Sequence, residues 1–194
     1  MSSFSETIRS RTLQPVVEDA RMRTVLGIVA FAVATAFSAQ IAVVLPWTPV
    51  PVTLQPLMVV LAGVVLGGRA GAMAIAAYVT VGALGAPVFS NGAAGLPWLL
   101  GPTGGYLLAA PAAAFVAGWV AGRGDGAARL LSGLVLGVAT MYLGGVAQLM
   151  GLTGQGMAHA FAIGVIPFLV GDVTKIAFAF FAVLSVRKVR RSVG

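Results

Sequence analysis

Asp172 and Lys175 are the two charged residues that fall inside an apolar run of this 194-residue chain, in Phe168-Leu-Val-Gly-Asp-Val-Thr-Lys-Ile176. On a helix, a spacing of three sets both side chains on one face within reach of each other. Pairing offsets the roughly 2.5–3.5 kcal/mol that each charge costs at mid-bilayer on insertion scales. A carboxylate beside an ammonium accepts N–H bonds and donates to a carbonyl at once, which suits a ureido or amide-like head group; a simple ion would call for several oxygens. The alternative is an ion pair with a structural role alone. With Pro167 in the first turn of its helix, where a missing N–H is tolerated, Asp172 falls about 7.5 Å inside the outer helix end.

Three further segments carry polar or irregular chemistry. In Gly101-Pro-Thr-Gly-Gly-Tyr106, Thr103 has the type of an N-cap, and the amides of Gly104 and Gly105 at a helix start could receive a carboxylate; an ordinary Pro/Gly helix start explains the same residues. No Gly-Lys-Ser/Thr follows, so this is not a P-loop. The prolines of Pro46-Trp-Thr-Pro-Val-Pro-Val-Thr-Leu-Gln55 forbid helix and leave Trp47, Thr53 and Gln55 available to a pocket mouth, although Trp47 suits an interfacial anchor better. Pro87-Val-Phe-Ser-Asn-Gly-Ala-Ala-Gly95 is long enough to fold over a site, and Asn91 in it both donates and accepts; a plain turn residue is the competing reading. His159 is the sole histidine and has no metal-type partner at Glu or Cys spacing, so no metal or other cofactor is expected.

The elements that must position these residues are membrane helices. Of the chain, 59% is hydrophobic and 9% charged, against about 25% charged in a soluble domain. Apolar runs cover residues 25–45, 52–66, 70–84, 103–121, 130–150 and 167–186, separated by turns rich in Gly, Pro or charge. The expected fold is an all-α membrane protein of six transmembrane helices in one integral membrane domain spanning 1–194, with 1–24 as a cytoplasmic N-terminal segment. A signal peptide ending near Ala36 to Ala39 is the rival reading of the first run, which is longer than a signal core and continues to Leu45. In that run Ala30 with Ala34, and Ala32 with Ala36, form small-xxx-small pairs that permit close helix approach, to a partner protein or within the fold.

The net charge of +7 is distributed as a topology signal rather than as a nucleic-acid footprint. Arg9, Arg11, Arg21, Arg23, Arg69, Arg123, Arg129, Arg187, Lys188, Arg190 and Arg191 all fall on one face when six spans alternate, which makes that face, with both termini, cytoplasmic. The opposite turns, 46–51, 85–102 and 151–166, hold no Lys, Arg, Asp or Glu. Irregular backbone at membrane depth needs protein or a water-filled cavity to satisfy its amides, so a pocket is expected at that outer face. The chain contains no cysteine, which excludes disulfides, thiolate nucleophiles and iron–sulfur clusters.

Taken in order, Pro49-Val-Pro-Val-Thr-Leu-Gln55, Leu61-Ala-Gly-Val-Val-Leu-Gly-Gly-Arg-Ala-Gly71, Gly85-Ala-Pro-Val-Phe89, Gly101-Pro-Thr-Gly-Gly-Tyr106 and Ile166-Pro-Phe-Leu-Val-Gly-Asp-Val-Thr-Lys175 resemble the BioY family, substrate-binding (S) components of energy-coupling-factor (ECF) vitamin transporters that handle biotin. Ala86 and Gly68 depart from the residues usual there. The resemblance implies six helices in the cytoplasmic (inner) membrane and no enzymatic activity, with biotin near the outer face and Asp172 and Lys175 at the family's Gly-Asp-x-x-Lys positions. It further implies a transmembrane coupling subunit meeting the Ala30, Ala32, Ala34 and Ala36 pattern, and separate ATPase subunits. On that basis Asp172 and Lys175 would hold the ureido ring, Gly104 and Gly105 would face the valerate, and Asn91, Tyr106, Thr53 and Gln55 would complete the site. A carrier for another vitamin, an intramembrane enzyme using Asp172, Lys175 or His159, and a ligand-free scaffold are the rival functions. A homo-oligomer is left open.

Overall fold

The computed structural model describes residues 20–124 and 126–193, with nothing said of the side chains of Ala20 and of residues 190–193. Arg9, Arg11 and the remainder of the N-terminal segment 1–19 therefore lie outside the described residues. The elements in order are α1 (Ala20–Gln40), β1 (Ala42–Val43), β2 (Val52–Thr53), α2 (Gln55–Leu66), α3 (Gly68–Ala83), a 3-10 turn (Ser90–Gly92), α4 (Leu96–Leu99), α5 (Gly104–Ala121), α6 (Ala127–Thr153), α7 (Met157–Gly164), a second 3-10 turn (Ile166–Phe168) and α8 (Leu169–Val193). Among the described residues, four stretches are long and apolar enough to cross a membrane: 21–40, 104–121, 127–153 and 157–189. By helical rise α2 is about 18 Å long and α3 about 24 Å, short of the ~30 Å hydrocarbon core.

The apolar runs become helices with shifted ends, and each shift has a local cause. The first helix stops at Gln40 rather than Leu45 because Ala42 and Val43 pair antiparallel with Thr53 and Val52. That ribbon also takes Val52 and Thr53 away from the second run, so α2 starts at Gln55 with Pro56 in its first turn. The outer turn 151–166, expected to be irregular, contains α7, which follows a left-handed Gly154 (φ +63°) closing α6.

Close helix contacts are made by small residues. In α2 and α5, Gly63 and Gly118 face each other so tightly that a Cβ on Gly63 would fall on the Ala114 carbonyl and one on Gly118 on the Gly63 carbonyl. In α5 and α6, the most extensively paired helices, Gly105 and Gly144 stand in the same relation. Such packing replaces the hydrophobic drive that lipid cannot supply between helices. Large apolar side chains face outward instead, among them Phe37, Leu84, Leu143, Val170 and Phe181, as a lipid-facing surface requires.

The two ends of the bundle differ. At one end Gly27 of α1 lies against Leu66, Gly68 against Phe115 and Trp119, and Arg187 donates to the Ala121 carbonyl at 3.5 Å. The charged turns thus gather there, with Arg123 stacked on Trp119 at 3.4 Å. The other end is knitted by polar side chains to backbone: Thr48 to Ile163 (2.6 Å), Tyr106 to Gly164 (2.6 Å), and Gln148 to Leu99 (2.9 Å) and Gly101 (2.6 Å). The site lies beneath that end.

Candidate ligand-binding site

Pro167, in the 3-10 turn that opens α8, supplies a residue without an N–H where no intrahelical acceptor exists. Asp172 follows in the first turn of α8, where the helix dipole favours an anion. One turn on, Lys175 Nζ meets Asp172 Oδ1 at 2.7 Å, and the pair is 9% and 6% exposed at the side chains. The second carboxylate oxygen accepts a hydrogen bond from Tyr142 of α6 at 2.5 Å. Both oxygens are therefore engaged, while the ammonium keeps N–H donors beyond the one given to Asp172.

This cluster opens into a cleft whose atom-free space, partly continuous with solvent, is about 610 Å³. The ribbon and α2 supply Val50, Pro51, Thr53, Gln55 and Pro56; the 85–103 segment supplies Ser90, Trp98 and Thr103. Tyr106 and Leu107 of α5, Val138 and Met141 of α6, and Phe168 complete the wall. The surface exposed to the cleft is mostly apolar, while Thr53, Gln55, Ser90, Thr103, Tyr106, Tyr142, Asp172 and Lys175 bring polar groups to it, a combination suited to orienting an amphiphilic organic molecule. Among the lining residues the charges are Asp172 and Lys175 alone.

Tyr106 is fixed on three sides. Its ring covers Gly145 and Gly164, where any side chain would collide with it, and it meets Phe168 edge-on at 6.5 Å. Phe89 does the equivalent for the 85–102 loop: fully buried, it fits against Gly82 and edge-on to Tyr78 at 5.7 Å. Tyr78 donates to the Val88 carbonyl at 3.1 Å, and Gln40 binds the Phe89 carbonyl (3.0 Å) and the Gly92 N–H (3.0 Å). The loop is thus pinned over the cleft by α1 and α3.

Of the residues singled out in the sequence, Asp172, Lys175, Tyr106, Thr53 and Gln55 share this cleft. Thr53 also accepts from the Gln55 N–H at 3.3 Å, serving the start of α2. Asn91, Gly104 and Gly105 are not among the lining residues. Asn91 is exposed in the left-handed conformation (φ +58°), which turns its side chain outward while Ser90 lines the cleft. Gly104 donates its N–H to Gly101 at 3.0 Å and backs onto the Leu99 carbonyl; Gly105 backs onto Gly144. Their lack of a side chain permits these close backbone contacts. Thr103 stands at the N-cap position without a side-chain capping bond, its hydroxyl left to the cleft. Trp47 is exposed on the ribbon's turn, and His159 on α7 is exposed as well. In α1, Ala32 and Ala36 border an apolar groove against α3, whereas Ala30 is exposed. Tyr142, Ser90 and Trp98 escaped the sequence reading; Tyr142 shares the apolar run 130–150 with Ser132, Thr140 and Gln148, so its hydroxyl alone gave no signal.

The sequence profile of the BioY family matches residues 10–192. The chain belongs to the BioY family. Among relatives of this BioY chain, a probable biotin transporter BioY from Pyrococcus horikoshii is 44% identical over 149 residues, 77% of this chain and 86% of its own length. The biotin transporter BioY of Thermotoga maritima is 38% identical over 144 residues, 74% and 85% of the two chains. That of Rhizobium etli is 37% identical over 144 residues, covering 70% and 76%. The crystal structure of the S-component for biotin from an ECF-type ABC transporter superposes with a TM-score of 0.81 at 21% identity, over 88% of this BioY chain and 94% of that one. The two share a fold.

Proposed function

We propose that this chain is the biotin-binding, substrate-specific component of an ECF transporter in the cytoplasmic membrane, with the ureido head of biotin held by Asp172 and Lys175. The observation that carries the proposal is the buried Asp172–Lys175–Tyr142 cluster at the wall of a mostly apolar cleft. A ureido group offers two N–H donors and one carbonyl acceptor; a carboxylate and an ammonium with free N–H groups match them. The thioether ring suits the apolar wall made by Leu107, Val138, Met141 and Phe168. The relatives from Pyrococcus horikoshii, Thermotoga maritima and Rhizobium etli, named as biotin transporters or a probable one, point to the same ligand.

The same proposal extends to topology and assembly. Residues 1–194 form one membrane unit of six crossings, with α2 and α3 as the short ones; the segregation of Arg and Lys turns makes the charged end cytoplasmic and the cleft exterior. Energy comes from separate ATPase subunits through a transmembrane coupling subunit that meets α1 near Ala30, Ala32, Ala34 and Ala36. Saturable binding of tritiated biotin to the purified chain in nanodiscs, with unlabelled vitamins as competitors, tests the ligand. Displacement by biotin alone is expected; preferential displacement by another vitamin would assign the cleft to that compound. Uptake by cells producing the chain with and without the coupling proteins tests the assembly, and equal uptake in both would remove the coupling subunits from the proposal.

A further inference from the structure

The indole Nε1 of Trp98 is sealed from solvent and meets no hydrogen-bond partner, although the residue lines the cleft. A buried unpaired donor costs its desolvation, so native structures rarely leave one without a purpose. The hydroxyls of Ser90 and Thr103, 5% and 8% exposed as residues, lie on the same wall and make no hydrogen bond to a described residue. All three groups come from the 85–103 segment, whereas the charged cluster comes from α6 and α8. The cleft therefore has a charged wall and a separate wall of neutral donors.

We infer that Trp98 is a ligand-binding residue whose indole N–H, with the hydroxyls of Ser90 and Thr103, receives the carboxylate end of the ligand. This rests on the ligand being biotin, an acid with a polar group at each end. With the ureido head on Asp172 and Lys175, the other end finds no cation among the lining residues and must be met by neutral donors. The sealed N–H gains its acceptor when the indole turns toward the carboxylate. Trp98 sits in the single turn α4, bounded by a left-handed Gly95 (φ +85°) and by Gly101, a segment short enough for the ring to adjust.

The test compares biotin with biotinol, in which the carboxylate is replaced by a primary alcohol, on the full chain in nanodiscs. Trp98→Phe keeps the ring and removes the N–H. Biotin affinity is expected to fall about tenfold or more and biotinol affinity by less than about threefold, a coupling between residue and carboxylate of the size that paired contacts give. Equal losses for both ligands would reduce Trp98 to a packing residue and overturn the inference. A readout on the unsubstituted chain guards against a variant that fails to fold: the 15N-labelled indole resonance of Trp98 is expected to move downfield with biotin and not with biotinol. A resonance that responds equally to both, or to neither, would overturn it too. An unsubstituted chain that binds neither ligand would instead overturn the biotin assignment itself.

Discussion

Replacing Asp172 by Asn alters one atom and removes one charge, at a residue that is 5% exposed and has both carboxylate oxygens engaged. Two consequences separate. For binding, the loss of a charge-assisted hydrogen bond to the ureido N–H is worth about 1.5–3 kcal/mol, or roughly 10- to 150-fold in Kd. For the fold, Lys175 becomes a buried cation without its counter-charge, and breaking a buried pair at one side costs about 3–5 kcal/mol. Pairing Asp172→Asn with Lys175→Met removes both charges, and replacement of a whole pair by apolar groups is often neutral or stabilising. The double variant is therefore expected to recover the melting temperature lost by the single variant while binding biotin no better. Isothermal titration calorimetry in detergent, with thermal unfolding on the same samples, reads both quantities. A folded Asp172→Asn protein with an unchanged Kd for biotin would refute the direct contact, and recovery of affinity in the double variant would refute the role of the pair.

Four other outcomes follow from the geometry. Tyr142→Phe removes the bond to Asp172 Oδ2 and should weaken biotin binding about tenfold, less than Asp172→Asn, by the same calorimetry. Gly63→Val places methyl groups on the Ala114 carbonyl and should cost about 1–3 kcal/mol or more, seen as a lowered melting temperature. Gln40→Ala unties the Phe89 carbonyl and the Gly92 N–H; amide exchange across 88–95 should quicken about tenfold, with faster biotin release. The chain has no cysteine, so single cysteines report topology directly: Trp47→Cys and Gln155→Cys should react with an impermeant maleimide on intact cells, and Gly126→Cys only after permeabilisation.

The parts of this molecule that were legible in the sequence are those encoded locally. Asp172 and Lys175 stand three apart in an apolar run, and helix geometry alone joins them. Among the described residues each of the six apolar runs contains a helix of twelve residues or more, because a long apolar run satisfies its backbone polar groups within the segment. The ribbon was hidden because its two pairs join residues eleven and nine apart across a proline-rich turn that reads as irregular chain. Tyr142 reaches Asp172 from thirty residues away, and no spacing rule announces such a contact. Gly104 and Gly105 carry two readings in the sequence, because glycine permits close approach of a ligand and of a helix alike; in the fold their Cα atoms lie against Leu99 and Gly144. Asn91 and Ser90 are adjacent in sequence, and only the left-handed backbone at Asn91 decides which of them faces the cleft.

The most direct measurement is a crystal or cryo-electron microscopy structure of the chain with biotin bound. The ureido group is expected within hydrogen-bond distance of Asp172 and Lys175, beneath the 85–102 loop. Biotin seated elsewhere on the protein, with the Asp172–Lys175 pair out of its reach, would contradict the assignment.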